Sequence, residues 1–323
     1  MKPLAIRALK ILFFVVAQLA ALEFVLFVFF LFKQDYDAEM WKYTRDLKIN
    51  VNDGRAHIHR ASGSTNLMGV DIETDPDGFR ISMASDGLPR RTDGKKVLAL
   101  GDSFTLGWGV WHNDTYPTRL ERMSTGCLGF HVENAGVGNY NLEQVAASAA
   151  KLIPAIRPNA LLYGFYWNDA EPVQREPGSW LARHSHLLLF WRKIQVRLFH
   201  YGGQTASYRS YYEATYTGES WASFEKAARD LSDWAKLRNI PLYVALLPEL
   251  RVPDDPAIRQ IYEKVDKLFQ SLGAKTVNLF GTLPPRTMTD YWVAPDDPHP
   301  NALAHMEIAE RIEKQFWPEC GHP

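Results

Sequence analysis

The chain predicts an α/β fold, a parallel sheet covered on both faces by helices and preceded by one transmembrane helix. Three observations point there. From Lys95 onward, short apolar runs alternate with segments of helical periodicity, the pattern of a parallel sheet joined by crossover helices. Two of those runs end in small, turn-forming residues, Gly101-Asp102-Ser103 and Asn134-Ala135-Gly136, at the sheet edge where open α/β folds place ligands. Near the start, Ile11 to Phe32 is an almost unbroken run of Ile, Leu, Phe, Val and Ala, long enough to cross a bilayer core.

The N-terminal span comes first. Lys2, Arg7 and Lys10 precede it, and Lys33, Asp35, Asp37 and Glu39 follow. That Lys/Arg bias sets the N-terminus in the cytoplasm and the rest of the chain outside, which in a bacterium is the periplasm beyond the inner membrane. Ala17, Ala20 and Ala21 offer a cleavage point, but the apolar run continues well past them, which favours an uncleaved anchor over a removed signal. Gln18 and Glu23 interrupt the span. Polar groups in lipid face a partner helix or a polar cavity, or are tolerated at a cost, so a transmembrane partner through these two residues is one reading and a tolerated glutamate the other.

Residues 1–34 therefore form a cytoplasmic tip and anchor. Residues 35–94 read as a connector and edge segment: Asp35 to Arg60 is charged and poor in large apolar residues, a connector or a short helix followed by a loop, and Asp75-Pro76-Asp77-Gly78 is turn-rich. Gly78-Phe79-Arg80 is expected to lay an edge segment along the sheet, with Arg80 in a surface salt bridge or, alternatively, meeting an anionic substrate group. Residues 95–323 read as the catalytic domain. Its expected strands are Lys96–Leu100, His131–Asn134, Ala160–Phe165, Pro241–Leu247 and Lys275–Phe280. Leu142–Leu152 is amphipathic, and Trp221, Phe224, Ala228, Leu231 and Trp234 recur at helical spacing, as do Ile258, Ile261, Val265, Leu268 and Leu272. Phe316 and Trp317 belong to the core at the end of the last helix.

Residues 172–215 break the alternation. His184 to Tyr201 is dense in apolar and basic side chains: Leu187, Leu188, Leu189, Phe190, Trp191, Leu198 and Phe199 with Arg192, Lys193 and Arg197. It reads as an amphipathic helix lying on the membrane or covering the site, or else as a helix packed on the core with its basic side solvated.

The formal net charge is −1, so no global basic signal points to nucleic acid. The two cysteines, Cys127 and Cys320, form no CxxC or Cys/His cluster for zinc. They could pair in an oxidising compartment, but spacing does not reveal whether their Cα atoms come close enough, and two separate thiols are the expectation.

Four stretches carry the chemistry: Gly101-Asp102-Ser103-Phe104-Thr105-Leu106-Gly107, Asn134-Ala135-Gly136-Val137-Gly138-Asn139, Gly164-Phe165-Tyr166-Trp167-Asn168-Asp169, and Asp296-Asp297-Pro298-His299-Pro300-Asn301. Their order and their places at strand ends resemble the SGNH/GDSL hydrolase superfamily over roughly Lys95 to Trp317. The resemblance implies a three-layer, flavodoxin-like α/β/α domain. It makes Ser103 the nucleophile and His299 the base, since an imidazole titrates near neutral pH and can take and return a proton. Asp296, three residues before His299, is the expected orienter and Asp297 its near rival. The oxyanion donors it implies are the Ser103 N–H, the Asn168 amide and an N–H from Gly138 or Asn139. Asn139 stands where the family usually has glycine, and asparagine tolerates the positive φ such a turn demands. No metal or organic cofactor is implied.

The reaction class is acyl transfer through an ester on Ser103. With water as acceptor the protein is an esterase acting on an acylated envelope glycan or lipid; with a sugar hydroxyl it is an O-acyltransferase. A non-catalytic glycan-binding or scaffold role is the third reading. Trp108, Trp111, Tyr140, Tyr166 and Trp167 near the motifs are candidates for a sugar platform or for core.

Overall fold

In the computed structural model, residues 2–33, 35–81, 94–125, 127–199, 205–285 and 287–320 are described. Helix α1 (Lys2–Phe32) has 31 residues, about 46 Å at the helical rise. Its stretch Ala5–Phe32 is long and apolar enough to cross a membrane, and only 6% of its most apolar window is buried in the protein.

Of the two readings of Asp35 to Arg60, the short helix forms, and strands rather than a loop follow it. Helix α2 (Tyr36–Asp46) starts on Asp35, whose carboxylate accepts from the Ala38 N–H, a standard N-cap. A hairpin of β1 (Lys48–Asn50) and β2 (His57–His59) follows. Then comes an antiparallel sheet of β3 (Ser64–Leu67), β4 (Val70–Thr74) and β5 (Arg80–Ile81). Tyr43, Leu47, Leu67, Val70 and Ile72 form a small core here with Leu106 and Trp108 from the segment after Ser103. The turn at Asp75 to Gly78 forms as expected, with Asp75 Oδ1 accepting from the amides of Asp77 and Phe79. Residues 82–93 of the expected edge segment lie outside the described residues.

The expected central sheet is present. After β6 (Lys96–Gly101) come α3 (Ser103–Leu106), α4 (Tyr116–Met123), β7 (His131–Asn134), α5 (Leu142–Ile156) and β8 (Ala160–Phe165). The insertion contributes α6 (Trp180–His184), α7 (His186–Phe199) and α8 (Thr205–Thr215). Then follow α9 (Gly218–Leu237), β9 (Leu242–Leu246), α10 (Pro256–Ser271), β10 (Lys275–Asn278), β11 (Trp292–Ala294), β12 (Asp297–Pro300) and α11 (Ala302–Phe316). Five strands run parallel in the order β10-β9-β8-β6-β7. Counted along the chain this is 2-1-3-4-5, the flavodoxin-like winding, whose ligand crevice lies outside the carboxyl ends of the first and third strands. Those strands are β6 and β8, and Ser103 follows β6 directly. Every residue of β8 is buried: α5 packs on α9 and α9 on α10, while α4 packs on α11, clothing both faces.

Two features tie the outer shell together. Cys127 and Cys320 are joined by a disulfide, with Cα atoms 5.4 Å apart, contrary to the expectation of separate thiols. Chain separation of 193 residues gave no local sign of this contact. A cross-link closing so long a loop stabilises by about 5 kcal/mol on the chain-entropy account. At the sheet edge, His131 sits between Glu121 (2.8 Å) and Glu133 (3.4 Å). Burial alone would lower its pKa, but the two carboxylates outweigh that and raise it to about 9.

A raised histidine pKa contributes stability that is complete below the unfolded value near 6.5 and is lost as pH rises through about 9. His131→Gln is therefore expected to cost roughly 2 kcal/mol at acidic pH, after discounting for partial solvent exposure of Glu121, and little above the raised pKa. Thermal unfolding of both proteins in detergent on either side of that window checks this.

Candidate active site

Strand β6 ends in Gly101, and Asp102 caps α3 by accepting the Phe104 N–H at 2.9 Å. This sharp strand-to-helix turn puts Ser103 at the first helical position, where backbone amides have no intrahelical partner. Ser103 Oγ lies 2.9 Å from His299 Nε2. His299 Nδ1 is 2.5 Å from Asp297 Oδ1, which also accepts the His299 backbone N–H at 3.1 Å. Since a carboxylate only accepts, Nδ1 carries the proton and Nε2 is free to take one from the serine. The other Asp297 oxygen accepts from Trp108 Nε1 at 2.7 Å.

The carboxylate that meets His299 Nδ1 is thus Asp297, not the expected Asp296. The reason lies in the local backbone. Trp292–Ala294 and Asp297–Pro300 pair as an antiparallel hairpin with Ala294 opposite Asp297, so Asp296 is in the connecting turn and exposed. Asp297 and His299 are two apart on one strand and share a face. Burial would raise the Asp297 pKa, but the His299 ring, its N–H groups and Trp108 together hold it below the usual range.

Gly138 and Asn139 form the turn beyond β7. The Gly138 N–H donates to Tyr43 Oη at 2.9 Å, so that donor is already engaged. Asn139 has φ +66°, the left-handed conformation that glycine takes more readily. Its Oδ1 accepts from Lys48 Nζ at 2.7 Å. Lys48 is fully buried and also pairs with Glu176 at 2.6 Å, and burial lowers its pKa to about 8. A Cβ on Gly138 would stand 2.7 Å from Tyr43 Cε1, so only glycine fits there. Asn168, after β8, is partly exposed, and its side chain reaches the Asp102 carboxyl, whose pKa burial raises to about 6.

Three residues of the former "connector" pin this turn. Tyr43 holds the Gly138 N–H, His57 Nε2 lies 3.1 Å from the Gly138 carbonyl, and Lys48 holds the Asn139 side chain. The tautomers follow from the partners. His59 Nδ1 faces the Gly78 carbonyl, so it bears the proton; His59 Nε2 then accepts from Tyr43 O–H at 2.6 Å, leaving Tyr43 Oη to accept from Gly138. These contacts bridge 81 to 95 residues of chain, and the only sequence signal was polar residues in a segment with few large apolar ones. Tyr43→Phe removes the acceptor for a buried amide, worth about 1–2 kcal/mol. It is expected to lower kcat roughly tenfold while His299 and Ser103 stay in place, which steady-state kinetics on a chromogenic ester would measure.

Other expectations change. Arg80 is buried, neither a surface salt bridge nor free for substrate. Its guanidinium donates to the carbonyls of Leu106, Gly107 and Val110, closing α3 where Gly107 takes φ +79°. Of the five aromatics near the motifs, Trp108, Tyr140, Tyr166 and Trp167 are buried and only Trp111 is exposed, so four are core rather than a sugar platform. Tyr36, unnoticed in the sequence, stacks its ring 5.6 Å from that of His299.

No family model and no curated protein matches the sequence. Solved structures do. The chain is similar to G-D-S-L-type hydrolases. One such structure is a member of the lipolytic protein G-D-S-L family from Veillonella parvula, 13% identical, covering 69% of this chain and 98% of that one at a TM-score of 0.42. Another is a catalytic mutant of an acetylxylan esterase from Geobacillus stearothermophilus, 17% identical, covering 73% and 100% at a TM-score of 0.46. A third is an alpha/beta hydrolase from the metagenome of Lake Arreo, 15% identical, covering 70% and 96% at a TM-score of 0.45. Likenesses this distant assign no residue and no substrate.

Proposed function

We propose that this protein is a membrane-anchored serine ester hydrolase working outside the cytoplasm on an acylated envelope glycan or lipid. The observation that carries this is the hydrogen-bonded series Ser103 Oγ, His299, Asp297, with Trp108 on the far carboxylate oxygen. Burial of all four side chains keeps the geometry fixed and strengthens its electrostatics. The extracytoplasmic side is supported by the Lys/Arg bias around α1 and by the Cys127–Cys320 disulfide, since disulfides persist in oxidising compartments.

In the reaction, His299 Nε2 takes the Ser103 proton as Oγ bonds to the ester carbonyl carbon. The carbonyl oxygen becomes an oxyanion, held by the Ser103 and Asn139 N–H groups and the Asn168 amide. Collapse breaks the bond to the alcohol oxygen, and His299 returns the proton to that leaving group. Water then adds to the acyl-enzyme, giving a proton to His299 that passes back to Ser103 as the acid departs. Asp297 keeps the ring in the right tautomer and steadies the imidazolium.

The test is pre-steady-state kinetics on a chromogenic short-chain ester. The account expects a burst of one equivalent of alcohol followed by steady hydrolysis, both absent in Ser103→Ala. Slow turnover in water that rises on adding a glycan acceptor would identify a transferase instead. Equal activity in wild type and Ser103→Ala would overturn the serine mechanism.

A further inference from the structure

A cavity of about 450 Å³ lies between α2, the loop at Gln174 to Pro177, α6 and α7. On one side it reaches Tyr36, whose ring stacks on His299, and Asn139 of the turn described above. The Tyr36 ring separates it from His299, and neither Ser103 nor His299 lines it. On the other side its wall is Leu189, Arg192 and Lys193 of α7.

That wall is attached to the membrane helix. The Glu23 carboxylate of α1 accepts from the backbone N–H groups of His186 (2.5 Å) and Leu187 (3.0 Å) and from Ser185 Oγ (2.8 Å), and lies 2.9 Å from His186 Nδ1. These are the orphan donors at the start of α7, where a negative charge is favoured. The polar interruption of the span thus has its partners inside the chain, while Gln18 is exposed on α1. Lys193 adds a second tie, to Asp35 at 2.5 Å and Asp37 at 3.5 Å. The side chains of Arg197, Leu198 and Phe199, and Tyr201, which the sequence placed in this segment, lie outside the described residues.

The ties set α7 along the outer half of α1. With the crossing at Ile11 to Phe32, Glu23 holds the start of α7 within the outer leaflet, and Lys193, tied to Asp35 just past the span, holds its later turns at the outer lipid–water interface. The side chains of α6 and α7 suit that position. Trp180 is 71% exposed, Leu181 58%, Trp191 56% and Phe190 40%, and tryptophan is the residue favoured at such interfaces. They continue the exposed apolar surface of α1 at Phe24, Phe27 and Phe29. The polar lining carries Arg175, Arg183, Arg192 and Lys193 against Asp37 and Glu176; Glu176 pairs with Lys48 and Lys193 with Asp35 and Asp37, Arg183 donates to the carbonyls of Pro177 and Lys48 and Arg175 to Asn52, and Arg192 is the exposed cation of the lining.

We propose that this cavity is the substrate site and that it takes an anionic lipid ester from the outer leaflet, its charged headgroup among the arginines and its chains along α7. This rests on the serine hydrolase reading and narrows its substrate to a lipid. The carbonyl it presents to Ser103 undergoes the balanced acyl transfer given above, releasing a lyso-lipid and a carboxylate.

The experiment uses the full chain in phosphatidylcholine vesicles holding a trace of a fluorogenic ester of either phosphatidylglycerol or phosphatidylcholine. Host lipid, and so surface potential, is the same in both arms. The expected result is faster hydrolysis of the phosphatidylglycerol ester, with the anionic-to-zwitterionic ratio of kcat/KM falling about tenfold in Arg192→Glu. Loss of fold or general damage lowers both rates and leaves the ratio alone, and Arg192→Gln gives the same ratio test without charge reversal. A ratio near one in wild type, or unchanged in both variants, overturns the proposal while Ser103 still reacts with a fluorophosphonate. Faster cleavage of a soluble acetylated glycan than of either lipid overturns it too. Failure of Ser103 to react at all removes the hydrolase reading beneath it.

Discussion

Asp297→Asn is expected to lower kcat by about 10⁴-fold, while Asp296→Asn leaves it within a factor of about two. The contrast follows from the hairpin at Trp292 to Pro300. Asp297 is fully buried and bonded to His299 Nδ1, the His299 N–H and Trp108 Nε1. An asparagine there presents either an oxygen or an NH₂ to Nδ1. The NH₂ forces the proton to Nε2, the nitrogen that must accept from Ser103. Asp296, exposed in the turn, has no such role. Parallel steady-state kinetics on one chromogenic ester decide between the two neighbours. Equal losses would mean that the hairpin register differs from the one described.

Asn168→Ala should cost about 10²- to 10³-fold in kcat with KM little changed. That is the usual effect of deleting one donor that acts on the oxyanion rather than on the ground state. The side chain follows the β8 strand at the crevice edge and touches the Asp102 carboxyl beside the nucleophile. Circular dichroism of the variant separates loss of catalysis from loss of fold. A fall in kcat of less than about threefold would remove Asn168 from the oxyanion site.

The sheet was legible because its information is local. Lys96 to Leu100 and Ala160 to Phe165 are continuous apolar runs, and a strand buried on both faces cannot look otherwise. That Ser103 and His299 would meet was legible because a strand end and a final loop carry them in a recognisable order. The choice between Asp296 and Asp297 was not, because it turns on which residue occupies a hairpin turn, a matter of register rather than of residue type. The parts read least well are those made by distant contacts. Tyr43, His57 and Lys48 were assigned to a connector because that segment has few large apolar residues, yet they hold the Gly138–Asn139 turn from more than 80 residues away. Arg80 looked like a surface charge; three backbone carbonyls of the nucleophile loop bury it. Glu23 looked like a membrane anomaly, and its partners stand more than 160 residues later in the chain.

The central claim is that Ser103 is an activated nucleophile, and covalent labelling tests it most directly. The full-length protein in detergent, treated with a fluorophosphonate and read by intact mass, should gain one adduct, and Ser103→Ala should gain none. A folded wild-type protein that stays unlabelled, or an adduct that persists in Ser103→Ala, would contradict the account.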